Sequence, residues 1–154
     1  MESINTQVIG KYTSSNVEVY GMLFSADYCP SCHEFVPHLK KVYQNLRDHN
    51  IEIIFVASDK TKEAFEKYRD EHHSQWQTMD YEDEERSRLR TTYGIKTIPA
   101  LLFFHKDGTL VESNGRNLVV DMINMNSSED EAARMIAERV GAIQQDYDSE
   151  DLDF

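Results

Sequence analysis

A chain of 154 residues, 40% hydrophobic and 29% charged, can bury a core of its own, and its two cysteines allow at most one disulfide, which excludes a disulfide-stapled scaffold. A formal net charge of −12 argues against nucleic acid and against anionic membrane surfaces as partners. Met1 to Thr6 lack the basic and apolar regions of a secretory leader, and no apolar run approaches the ~20 residues that span a bilayer. A cytosolic, or alternatively nuclear, location is therefore expected, where exposed thiols stay largely reduced.

Residues 1–16 form a polar N-terminal segment in which Gln7-Val8-Ile9 can add an edge strand. The expected domain spans residues 17–145. It opens with a strand over Val17 to Ser25, whose continuous apolar finish suits a central strand covered on both faces. The strand delivers the chain to Asp27-Tyr28-Cys29-Pro30-Ser31-Cys32-His33, which holds both cysteines. Pro30 fits the first turn of a helix running to about Asn50, with Phe35, Leu39, Val42, Tyr43 and Leu46 in one stripe. Pro37 lies inside that helix and is expected to kink it; Asn50 is its C-terminal cap.

Ile51 to Ala57 reads as a β-branched strand, followed by a helix capped by Ser58, Asp59 or Thr61 and lined by Phe65, Tyr68 and His72. His72-His73 reads as a helix end facing solvent. From Glu82 to Arg90, acids precede bases, as a helix dipole prefers, and Gly94 ends that helix. Thr97-Ile98-Pro99 leads into an apolar strand, Ala100 to Phe104. Asp107-Gly108 then turns a hairpin back through Leu110-Val111-Glu112. Gly115-Arg116-Asn117 reads as another turn. Ser128 and Glu131 form a capping box for a closing helix that can turn Ala132, Met135, Ile136, Val140 and Ile143 to the sheet. Residues 146–154 are an acidic tail expected to be disordered. The pattern predicts an α/β fold, a mixed sheet with helices on both faces.

The cysteine spacing carries the chemistry. Cys29 at or next to a helix N-cap sits by unpaired N–H groups and the positive dipole end, which favour its thiolate. Cys32, one turn along, is close enough for a disulfide. Cys29 would attack a substrate disulfide as the exposed nucleophile, and Cys32, the more buried partner, would resolve the mixed disulfide. Pro99 precedes a strand and can be cis, which would leave the Ile98 backbone free to pair with an extended substrate. Rival uses of the same residues remain. Cys29 to His33 matches the haem-attachment pattern Cys-x-x-Cys-His, but that needs an export route and an all-helical setting. A zinc site wants a second ligand pair, which only His33, His38, His49, His72, His73 and His105 could supply. A metal or iron–sulfur centre bridging two chains is a further alternative.

Several features together resemble the thioredoxin superfamily. They are the strand ending Phe24-Ser25-Ala26-Asp27-Tyr28, then Cys29-Pro30-Ser31-Cys32, Pro37, and Ile98-Pro99 before a hairpin. Cys-Pro-x-Cys-x-x-Phe-x-Pro, Asp59 after its strand, Trp76, Tyr93-Gly94-Ile95, and Asp107-Gly108 followed by Gly115-Arg116 are similar to tryparedoxin- and nucleoredoxin-like proteins. The resemblance implies a thioredoxin fold, protein-disulfide reduction with no bound cofactor, a monomer fed by an upstream reductant, and a cis bond at Pro99. It further implies a substrate groove built from Tyr28, Pro30, Ile98, Pro99 and Trp76, although Trp76 also reads as a core aromatic. Three positions depart from the family pattern. Tyr28 replaces the usual Trp. Leu23 stands where thioredoxins carry a buried acid, leaving Glu34 and Asp27 as candidate proton acceptors for Cys32. His33 replaces a basic residue. These departures keep a second class open, a redox-inactive or weakly active binding module that holds partners in the same groove.

Overall fold

The computed structural model describes residues 4, 6–12 and 14–144. Its elements in chain order are α1 (Thr6–Gly10), β1 (Val19–Ser25), α2 (Pro30–Asp48), β2 (Ile51–Ala57), α3 (Lys62–His72) and β3 (Gln77–Thr78). They continue with α4 (Glu85–Thr92), β4 (Ala100–His105), β5 (Leu110–Glu112), α5 (Gly115–Met125) and α6 (Glu129–Val140). The strands form one mixed sheet in the order β3-β2-β1-β4-β5. β1 runs parallel to β2 and antiparallel to β4. β1 and β2 are buried at every position, as their unbroken apolar runs require.

Successive strand residues point to opposite faces, and this alternation builds two cores. On one face Leu23, Ile53, Phe55 and Phe103 pack under α2, α3, α5 and α6 through Phe35, Leu39, Tyr68, Val119 and Ile136. On the other, Met22, Phe24, Ile54 and Phe104 are covered by Leu89 of α4 and by Ile4, Val8 and Ile9. The expected stripe on α2 is buried throughout, and the helix continues through Pro37 to the cap residue His49. Asn50 follows in the left-handed region at φ 71°, and its N–H returns to the Arg47 carbonyl. Thr61 is the cap of α3, its hydroxyl accepting from Ala64 N–H. Ser128 caps α6 by accepting from Glu131 N–H.

Four expectations are corrected. Gln7 to Ile9 lies in a helix, not an edge strand, because Val8 and Ile9 fold down onto the apolar sheet face while Gln7 stays exposed. The hairpin turn is longer than the two-residue Asp107-Gly108 form. Gly108 N–H donates to the His105 carbonyl, His105 N–H donates to Thr109, and Gly108 takes φ 95°, the three-residue loop with a left-handed glycine. Gly115 to Asn117 is the first turn of α5 rather than a loop turn. A Cβ on Gly115 would lie 2.6 Å from the Leu101 carbonyl oxygen, so only glycine lets α5 start against β4. On α6 the buried face is Ala132, Ala133, Ile136, Ala137 and Val140, and Met135 is exposed. The expected tail, 146–154, lies outside the described residues.

Candidate active site

The sheet register gathers the site. Phe24 pairs with Ala100 and Ser25 pairs with Ala57, so the end of β1, the end of β2 and the start of β4 share one edge. Three loops therefore converge: Ala26 to Cys29, Ser58–Asp59 and Ile98–Pro99. Cys29 is the N-cap of α2, with extended backbone at φ −102° and ψ 109°. Its sulfur accepts the Cys32 N–H at 3.2 Å, the charge-stabilising arrangement a helix N-terminus offers. The Cys29 thiol also reaches the Ile98 carbonyl at 3.5 Å across the chain. The Ile98–Pro99 bond is cis. Both cysteines are free thiols; the expected exposure of Cys29 is corrected to 7%, because the Ile98 carbonyl closes over its sulfur, while Cys32 is fully buried as the inner partner. Burial pushes the Cys32 thiol up to about 12, helped by its hydrogen bond to Cys29 and opposed by the Ser25 hydroxyl and the Ala26 backbone.

Around the sulfurs, Tyr28 is 60% exposed and Pro30, at the first helical position, is exposed too. Ile98 is half-buried and Pro99 buried. Tyr28, Cys29, Pro30, Ile98 and Pro99 are thus brought together by the converging loops. Trp76 is not part of that surface. It is 5% exposed, packs edge-on against Tyr43 at 5.4 Å and donates its indole N–H to His73 Nδ1 at 3.0 Å. The groove-wall role is corrected to a core role, because the two-residue β3 that follows pins Trp76 to the covered sheet face. His73 is likewise corrected from solvent-facing to fully buried. It stacks on Phe55 at 3.9 Å, and burial pushes its imidazole down to about 2.

The two acids considered for Cys32 point elsewhere. The Asp27 carboxylate lies 3.6 Å from His33 Nε2 and 3.7 Å from Lys67 Nζ, and Glu34 is exposed. His33 turns back to the Asp27 carbonyl at 2.7 Å and packs against the Tyr68 and His72 rings. Sequence reasoning missed the site roles of three residues here. Ser25 and Tyr68 share a buried hydroxyl–hydroxyl hydrogen bond of 2.6 Å beneath Cys32. Asp59, 3% exposed, accepts the Asp27 N–H at 2.8 Å and so holds the loop that carries Tyr28 and Cys29. Burial raises the Asp59 carboxyl above the ordinary range. Arg86 braces this corner by donating to the Ala57 carbonyl at 2.6 Å and the Tyr81 carbonyl at 2.8 Å. Tyr68 was legible only as a core position, and nothing local distinguishes its hydroxyl.

A family model described as thioredoxin-like matches residues 16–110. Human nucleoredoxin is 36% identical over 107 residues, 68% of this chain and 23% of the relative. Probable nucleoredoxin 1 of Arabidopsis thaliana is 36% identical over 103 residues, 64% of this chain and 17% of the relative. The chain spans about a quarter or less of the length of such curated relatives. Among solved structures, thioredoxin from Wuchereria bancrofti superposes with a TM-score of 0.65 at 34% identity, covering 70% of this chain and 74% of the other. Tryparedoxin II from C. fasciculata gives 0.64 at 27% identity, covering 71% and 77%.

Proposed function

Because the chain belongs to the thioredoxin-like family, we propose that it is a thiol–disulfide oxidoreductase that reduces protein disulfides through Cys29 and Cys32. The observation that carries this reading is the Cys29 sulfur, held at a helix N-cap by the Cys32 N–H and facing the Ile98 carbonyl. Cys29 thiolate attacks a substrate disulfide, forming a mixed disulfide and releasing one substrate thiol. Cys32 then attacks the Cys29 sulfur. The bond to the substrate breaks, a Cys29–Cys32 disulfide forms, and the Cys32 proton leaves with the second substrate thiol. Two electrons pass from the protein dithiol to the substrate, and an upstream dithiol or thiol reductant restores the pair.

The substrate is an extended protein segment that docks on exposed Tyr28 and Pro30 and on the backbone of Ile98 before Pro99. The low exposure of Cys29 suits a substrate that presents its disulfide on a loop able to reach in. The reaction suits a reducing compartment such as the cytosol or nucleus, and it requires one copy of the chain. Insulin reduction with dithiothreitol tests the assignment. Wild type should accelerate turbidity, and Cys29→Ser should abolish the acceleration. Cys32→Ser should stall at the mixed disulfide, which mass spectrometry would detect. Equal rates in all three would replace the enzyme with a binding module that uses the same groove.

A further inference from the structure

Resolution of the mixed disulfide requires Cys32 to act as a thiolate in a fully buried position, and the two acids beside it in sequence, Asp27 and Glu34, face elsewhere. What the fold places there is a pair of hydroxyls. Ser25 ends β1 directly under the helix that carries Cys32, and its Oγ lies 2.6 Å from the Tyr68 hydroxyl. Both residues are fully buried, and they are brought together over 43 positions of sequence by the packing of α3 on the sheet. We propose that Ser25 and Tyr68 form a hydroxyl relay in which Ser25 hydrogen-bonds the Cys32 sulfur and Tyr68 orients and polarises Ser25 during the resolving step. The inference rests on the dithiol-exchange reading.

The hydrogen bond between the two hydroxyls can run either way. While Cys32 is a thiol, Ser25 can accept from it. Once Cys32 loses its proton, Tyr68 donates to Ser25 and Ser25 donates to the sulfur anion, a charge-assisted bond in a site water does not reach. The relay supplies donors rather than a base: the proton itself leaves with the substrate thiol. In the mixed disulfide Cys29 no longer bears a thiol, so its two raising influences on Cys32 disappear. Burial is then opposed by Ser25 and the Ala26 backbone alone. In this relay Ser25 acts on the reacting sulfur, whereas Tyr68 is a positioning residue. Its ring is held by Phe55 at 5.5 Å, His73 at 4.3 Å, His33 at 5.2 Å and His72 at 5.5 Å. The charged or titratable groups facing the pair are Cys29, Cys32, Asp59 and these three histidines, with Lys40 acting on His72 and His73.

The test is stopped-flow reaction of the reduced protein with dithiobis-nitrobenzoate, which releases one coloured thiolate when Cys29 attacks and a second when Cys32 resolves. Ser25→Ala, Tyr68→Phe and the double variant are compared with wild type from pH 6 to 10. The double variant removes both polar groups together and so avoids a buried orphan hydroxyl. The expected result is an unchanged first phase and a second phase slowed roughly 10- to 100-fold, the range a hydrogen bond to a charged group supports. Its pH midpoint should rise by about one unit, and the double variant should be no slower than the slower single. A second phase in the double variant with wild-type rate and midpoint overturns the relay. Wild type that releases only one equivalent overturns the exchange reading itself, and the relay with it.

Discussion

His73 provides a direct thermodynamic test of how the site's support is built. Its ring is fully buried between Phe55 and Tyr68, its Nδ1 accepts from Trp76, and its Nε2 has no partner among the described residues. Burial, with Lys40 and His72 adding to it, pushes the imidazole from 6.5 down to about 2. The folded state thus binds no proton at His73 between those values, whereas the unfolded state binds one below 6.5. Stability therefore falls as pH drops through that window, by about 1.4 kcal/mol per unit. At pH 4.5 the loss is about 2–3 kcal/mol relative to neutral pH, a large fraction of the stability of an ordinary domain. His73→Gln keeps an acceptor within reach of the Trp76 indole and does not titrate. It should lower stability at pH 7 by about 1–2 kcal/mol through imperfect packing and yet lose about 2–3 kcal/mol less than wild type between pH 7 and 4.5. Urea unfolding at the two pH values, followed by far-UV circular dichroism, measures both numbers. The other histidines contribute equally to each protein and cancel in the difference. Parallel pH dependences in wild type and His73→Gln would show that His73 is solvated, and would refute the buried-imidazole argument.

Trp76→Phe should leave insulin-reductase kcat/KM within about twofold while costing stability of about 1–3 kcal/mol, because the indole packs in the core and donates to His73; a tenfold loss of activity at unchanged fold would return Trp76 to the groove. Asp59→Asn preserves an acceptor for the Asp27 N–H but removes a buried charge whose carboxyl is raised by burial. A raised carboxyl costs stability as pH rises above the unfolded value of 3.8, so the variant should melt higher than wild type at pH 7 and converge with it in acid; a lower melting temperature at pH 7 would contradict this. Gly115→Ala should destabilise by about 1–3 kcal/mol in urea, since its Cβ meets the backbone carbonyl of Leu101 at 2.6 Å; a neutral effect would mean that α5 can slide off β4.

Local chemistry alone determined much of this protein. The unbroken apolar runs of β1 and β2 identified central strands, because only a strand covered on both faces tolerates them. The Ser128–Glu131 box marked a helix start, and Ser58, Asp59 or Thr61 narrowed another to three candidates, because a cap is satisfied within three residues of itself. Cys29 and Cys32 were legible for the same reason: their relation is one helical turn. Where burial depends on a partner element, the sequence was silent or misleading. Val8 and Ile9 suit a strand or a helix until a sheet face is there to receive them. Leu118, Val119 and Met122 carry a helical spacing that the Gly115 turn signal masked, and that glycine serves a close approach to β4 rather than a loop. His73 looks exposed by type and Trp76 suits either a groove or a core, yet the sheet and helices enclose both. Tertiary structure alone set Ile98 against Cys29 across 69 residues, Asp59 against Asp27 across 32, and Tyr68 against Ser25 across 43. The physical reason is that periodicity records which face of an element is apolar and never which element it will meet, so a cysteine pair one turn apart can be read from its neighbours in sequence, while the groups that surround it are chosen by strand register and helix packing.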